Sequence, residues 1–142
     1  MISDRPGYEK AVKHYNHGVE LHQAGHSDRA IAEYKAALKL YDGMLEAWDN
    51  LAGVYMAQQN YKAALEAVLR ADSIKPDCAP TLDCYGQILF ALGRDEEALI
   101  KFRRAIVVGP SYHSSYYNLA DVLRRTGHDD EAKEVLKTLP KD

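Results

Sequence analysis

Cysteine is scarce in this sequence: Cys78 and Cys84, six positions apart, are the only two in 142 residues. A chain of this length buries about two-thirds of its unfolded surface and builds a core without covalent staples. Both are therefore expected as free thiols, which fits a reducing, cytoplasmic setting. Long apolar runs are missing too. Ile88 to Leu92, among the longest, has five residues, against the roughly 18 of a membrane span, so no membrane insertion is expected. Met1 to Gly7 lacks the apolar stretch of a secretory signal. A basic excess is also absent: 18 Lys and Arg face 21 Asp and Glu, a formal net charge of −3. The pairs Arg103-Arg104 and Arg124-Arg125 are short and have acids a few positions away. Phosphate neutralisation drives nucleic-acid affinity, so no nucleic-acid partner is expected.

Catalytic and metal-binding patterns are sparse. Cys84 is a conceivable nucleophile and His113 a conceivable neighbour, but no activating set or glycine-rich phosphate loop accompanies them. His22 and His26 are spaced i, i+4, and His14 and His17 i, i+3. Gly25 is expected to end the helix before His26, and nothing completes a ligand set. Neither an enzyme, a metal nor a cofactor is expected. The paired acids Glu96-Glu97 and Asp129-Asp130 suit helix N-termini instead.

What the sequence does have is a period of 34. Ala30, Ala64, Ala98 and Ala132 fall 34 residues apart, as do the small residues Gly18, Ala52, Gly86 and Ala120. Tyr34, Val68, Phe102 and Leu136 form a large apolar column, and Leu21, Tyr55, Leu89 and Leu123 another. Gly25, Gly93 and Gly127 recur, with Gln59 in the remaining place. These columns delimit blocks 11–44, 45–78, 79–112 and 113–142, with 1–10 extending the first helix, in a single domain spanning 1–142.

Each block reads as two amphipathic helices. Trp48, Leu51, Ala52 and Tyr55 lie at i, i+3, i+4, i+7, one helical face, and Ala64, Val68 and Ala71 repeat the spacing on a second helix. The recurrent glycines suit a left-handed residue at a helix end. Ser27, Asp95 and Asp129 are expected to cap the helices that follow. Pro76 and Pro110 stop the second helix of their blocks, and Gly43 is expected to do so in the first. The first helices are expected at 8–24, 45–58, 79–92 and 113–126, the second at 28–40, 62–74, 96–108 and 130–139. Two such helices cannot bury both apolar faces alone. Stacking neighbours through small residues solves this, giving an all-α solenoid whose concave face is lined mainly by the first helices.

The pattern resembles the tetratricopeptide repeat, W-x2-L-G-x2-Y followed by A, F, A and P in 34 residues. The second block has Trp48, Leu51, Tyr55, Ala64, Ala71 and Pro76; the third has Leu82, Tyr85, Gly86, Leu89, Ala98, Phe102, Ala105 and Pro110. The fourth has Tyr116, Leu119, Ala120, Leu123, Ala132 and Leu136, while the first places His14 and His17 where large apolar residues are usual. The resemblance implies a right-handed superhelical solenoid of four helix-turn-helix repeats. It also implies a module that binds a peptide or helix of another protein in its groove, without selecting the ligand.

Counted from each block's start, position 6 gives Asn16, Asn50, Cys84 and Asn118. In the related superhelix of O-linked N-acetylglucosamine transferases an asparagine ladder resembles a set of clamps for peptide backbone, since an amide offers both donors and an acceptor. Asparagine there also serves local hydrogen bonding, and Cys84 interrupts the ladder. Tyr15, Asp49, Asp83 and Tyr117 stand at position 5, and Gln87 and Asp121 at position 9. Glu46 stands at position 2, and Met56 and Phe90 supply apolar footholds at position 12. The carboxylates favour a partner bearing Lys or Arg. The basic clamp with which co-chaperone members of the family grip a C-terminal carboxylate is not matched. The corresponding positions hold Tyr15, Val19, Asn50, Pro80 and Cys84 in one register and Asp49, Gly53, Cys84, Ser114 and Asn118 in the other. No polar capping helix is expected in the few residues after Leu139, so Leu136 and Leu139 are expected as candidates for self-association into a homo-oligomer. The leading expectation is a non-catalytic adaptor. The alternatives are a self-associating scaffold and a regulatory repeat segment of a larger protein.

Overall fold

A computed structural model describes residues 7–141, which form α-helices and connecting turns without strands. The helices are α1 (Tyr8–Gln23), α2 (Ser27–Leu40), α3 (Leu45–Ala57), α4 (Tyr61–Ile74), α5 (Ala79–Ala91), α6 (Asp95–Val108), α7 (Ser114–Arg125) and α8 (Asp129–Lys137). The expected helix pairs are thus present in all four blocks. Residues 1–6, which carry part of the expected N-terminal extension, lie outside the described residues. The chain falls into two compact units, one ending at Ile74 and the other starting at Lys75.

In the unit of α1–α4, the alanine column is fully buried at Ala30 and Ala64, beside Tyr34 and Val68 at 0% exposure. Gly18 on α1 lies flat against the Tyr34 ring: a Cβ there would come within 2.7 Å of the ring carbons. In the unit of α5–α8 the same device recurs, and a Cβ on Gly86 would meet the Phe102 ring at 2.5 Å. At the equivalent positions the other two blocks have Ala52 with Val68 and Ala120 with Leu136. By repeat position, small-residue size thus tracks the bulk of its counterpart, glycine with an aromatic ring and alanine with an aliphatic side chain. Close packing requires such matching because the interior has little free volume.

The turns agree with the sequence in their glycines and differ in their caps. Gly25, Gly93 and Gly127 have φ of 86°, 77° and 83°, and Gln59 takes the same left-handed conformation at 62°. The cap positions, however, are His26, Arg94 and His128, none with a side-chain cap hydrogen bond. Ser27, Asp95 and Asp129 are instead the first helical residues, one position further in, where a carboxylate still meets the positive end of the helix dipole. Asn60 is the residue whose side chain does cap, accepting from the Ala63 amide at 3.3 Å. Gly43 does not end α2: Tyr41, in an extended conformation, does so two residues earlier. The last helix is shorter than its expected end at 139. It stops at Lys137, the Thr138 hydroxyl donates back to the Val135 carbonyl at 2.6 Å, and Leu139 lies beyond it.

Candidate functional site

In the first unit, helical spacing puts Val12, Tyr15 and Asn16 on one face of α1. The turn after α2 and the first turn of α3 bring Tyr41, Met44 and Glu46 beside them. Together with Tyr8 these residues enclose a cavity of about 400 Å³. Its walls carry the phenol rings of Tyr8, Tyr15 and Tyr41, the Asn16 amide and the Glu46 carboxylate, and include no Lys or Arg. Asn16 and Glu46 are exposed. Tyr8 and Tyr41 pack edge to face at 5.4 Å, which holds both rings in place. One further α1–α3 contact fixes the geometry: the Asn50 amide donates to the Tyr15 hydroxyl at 3.0 Å. Beneath it the Tyr34 ring lies 5.8 Å from that of Tyr15. Burial raises the Tyr34 pKa, and the nearby Asn50 opposes the rise.

The lining thus carries one formal charge, that of Glu46, and three phenol rings. A carboxylate and phenol rings are the groups that pair with or stack on a cation in general. Asp49 and Met56, expected on the same face, do not line it. On the outer flank of α1, Glu33 is held below the ordinary carboxyl pKa, first by its hydrogen bond with His14 at 2.7 Å and then by the charges of His14 and His17.

The second unit departs from expectation. Asp83, read as a groove carboxylate free for a partner, is 1% exposed. It accepts from the hydroxyls of Ser114 at 2.8 Å and Ser115 at 2.9 Å, from Gln87 at 2.9 Å and from Asn118 at 3.0 Å. A buried carboxylate persists only when its lone pairs are satisfied, and here two α7 serines and an asparagine do so. Asp83, Gln87 and Asn118 are therefore brought together, but as a pin between α5 and α7. The Asp83 charge contributes, after burial itself, to raising the pKa of Tyr112. Phe90 also differs from the expected foothold: the Arg125 guanidinium stacks over its ring at 3.4 Å and donates to its carbonyl at 2.6 Å, while also bonding Asp95. Tyr117 is 53% exposed, and Asp121 pairs with Arg124 at 3.2 Å. Leu136 and Leu139 are half-buried, and α8 fully buries only Ala132.

Sequence reasoning missed Tyr8, Tyr41 and Ser115, and it weighed Ser114 only as a clamp position facing the groove. Tyr8 precedes the repeat register and Tyr41 lies in a turn, so periodicity marks neither. The adjacent serines sit in the first turn of α7, and nothing in their spacing ties them to a carboxylate on α5. Among the described residues no three His, Cys, Asp or Glu side chains are grouped to hold a metal ion. Among the same residues no helix is long and apolar enough to cross a membrane.

Three patterns of the tetratricopeptide repeat match the chain, over residues 15–79, 86–127 and 114–142. Tetratricopeptide repeat protein 8 of Caenorhabditis elegans is 31% identical over 113 residues, 78% of this chain and 22% of its own. The chain spans between 6% and 22% of the length of the first curated relatives it matches. A crystal structure of MamA superposes with a TM-score of 0.86 at 20% identity, covering 97% of this chain and 80% of that one. The first repeat domain of Spaghetti (RPAP3), bound to an HSP90 peptide, superposes with a TM-score of 0.81 at 19% identity, covering 84% and 94%. The eight helices of the described residues correspond to four repeats of that pattern, and the chain belongs to the tetratricopeptide repeat family.

Proposed function

We propose that the chain is a non-catalytic protein-interaction module, and that the first-helix face of the α1–α4 unit receives a partner segment through a Lys or Arg side chain. One observation carries this reading: the cavity of Tyr8, Tyr15, Tyr41, Asn16 and Glu46 offers a carboxylate and three rings without a basic residue of its own. Asn16 stands at its edge with an amide that matches a peptide unit. The peptide-bound Spaghetti domain supports a peptide ligand for a chain of this fold, and the electrostatics here favour a basic one. On this reading Asn50 is a positioning residue for Tyr15. Asp49 and Met56, on α3 of the same unit, belong to the partner's wider footprint.

Amide-resolved NMR titration with Ac-Ala-Lys-Ala-Arg-Ala-amide tests it. Saturable shifts should appear at Tyr15, Asn16, Tyr41 and Glu46, and the Glu46→Gln variant should bind about tenfold more weakly. Shifts elsewhere with none at these residues would refute it. A second reading, self-association through the last repeat, is favoured by the sparse burial of α8 and the half-exposed Leu136 and Leu139. It requires a dimer that Leu136→Glu or Leu139→Glu dissociates in light scattering. The length of the relatives supports a third, that these repeats regulate or recruit for a longer polypeptide.

A further inference from the structure

A second cavity, of about 410 Å³, opens in the same unit between α2 and α4, with α3 as its floor. Its floor is made by Trp48 and Tyr55, with Lys35, Lys39 and Arg70 around it. The two rings occupy positions that the second unit fills with Leu82 and Leu89, and with Tyr116 and Leu123, all 4% exposed or less. Here the rings are half-buried and reach the surface. Trp48 is fixed by its indole N–H, which donates to the Asp42 carbonyl at 2.7 Å. Arg70 lies over the Trp48 ring at 5.6 Å and Lys35 over the Tyr55 ring at 5.8 Å.

Among the described residues neither Lys35, Lys39 nor Arg70 forms an ion pair, although Asp42 and Glu66 also line the cavity. Three cations against two carboxylates leave the cleft with a positive excess, in a chain whose net charge is −3. Cations poised over rings retain their outward N–H donors, so a carboxylate can meet them without displacing any protein partner. The apolar floor beneath can take one large side chain.

The geometry points to a second docking site on this unit, for an acidic segment of another polypeptide that lays an apolar side chain on Trp48 and Tyr55. Its carboxylates pair with Lys35, Lys39 and Arg70. This site is separate from the tyrosine cavity and of opposite charge preference, so one unit can hold a basic and an acidic segment together.

Trp48 is the only tryptophan, so its emission reports the site directly. The probes are Ac-Asp-Glu-Leu-Phe-Glu-Asp-amide and its neutral twin Ac-Asn-Gln-Leu-Phe-Gln-Asn-amide. The acidic peptide should change Trp48 emission saturably, with affinity that falls as salt rises. Lys35→Gln with Arg70→Gln should weaken it at least about tenfold, while Arg70→Lys retains part of the binding. These side chains are exposed, and unchanged far-UV circular dichroism verifies that the variants fold. The Glu46→Gln variant should bind the acidic peptide as the wild type does, which separates this site from the first. Equal affinity for the neutral twin would overturn the proposal. So would an unmoved Trp48 signal with the acidic peptide, or full binding by the double variant.

Discussion

Gly86→Ala probes the packing rule that sets the distance between paired helices. A Cβ at that position lies 2.5, 2.7 and 2.8 Å from three ring carbons of Phe102. Each is about 1 Å inside ordinary carbon contact. Phe102 is 0% exposed, so its ring has no solvent-side space into which to retreat. Overpacking of this kind costs about 1–3 kcal/mol, and alanine recovers about 1 kcal/mol of helix propensity over glycine. With a fully buried ring the packing penalty should win, with a net loss of up to about 2 kcal/mol in urea unfolding followed by far-UV circular dichroism. In a Phe102→Leu background the ring is gone, and the same Gly86→Ala change should become neutral or stabilising. That background imitates the Ala120 and Leu136 that the fourth block carries at the equivalent positions. A stabilising Gly86→Ala with Phe102 intact would refute the size-matching argument. So would equal destabilisation in both backgrounds.

Three further outcomes follow from the geometry. Asp83→Asn replaces a carboxylate that accepts from Ser114, Ser115, Gln87 and Asn118, so denaturant unfolding should show a loss of about 2–4 kcal/mol. No loss would mean that the pin is dispensable. Glu33 has a folded pKa below its ordinary value because of His14. Its stabilisation is therefore fully present above the ordinary carboxyl range and disappears as pH falls through the lowered value. NMR titration of the Glu33 carboxyl should show this, with the midpoint moving up in His14→Ala. Gln59 holds φ of 62° where the other blocks have glycine, so Gln59→Gly should raise stability by up to about 1 kcal/mol in thermal unfolding, and a fall would contradict the strain argument.

Much of this fold is legible in the sequence because its signals are local and repeated four times. The alanine columns mark where helices touch, and the recurrent glycines mark where they end. The capping residues were read one position late, since an acid in the first turn serves the helix dipole whether or not it caps. The site was harder. Position 5 carries Asp49 in one block and Asp83 in another, and nothing within helix α5 shows that Ser114 and Ser115 from α7 bury the second. Phe90 loses its free face to Arg125, 35 residues away. Tyr8 and Tyr41 complete the first cavity from outside the periodic positions, where a repeat-based reading does not look. Tyr15, Asn16 and Glu46 are within reach of that reading because the repeat register assigns positions 5, 6 and 2 of the first helices to the groove.

The most direct test is the affinity of wild type and Glu46→Lys for the same lysine- and arginine-bearing peptide, measured calorimetrically at low and moderate salt. A cation site predicts binding to wild type that weakens with salt and is lost on charge reversal, with the fold unchanged. Equal affinity for both proteins would contradict it.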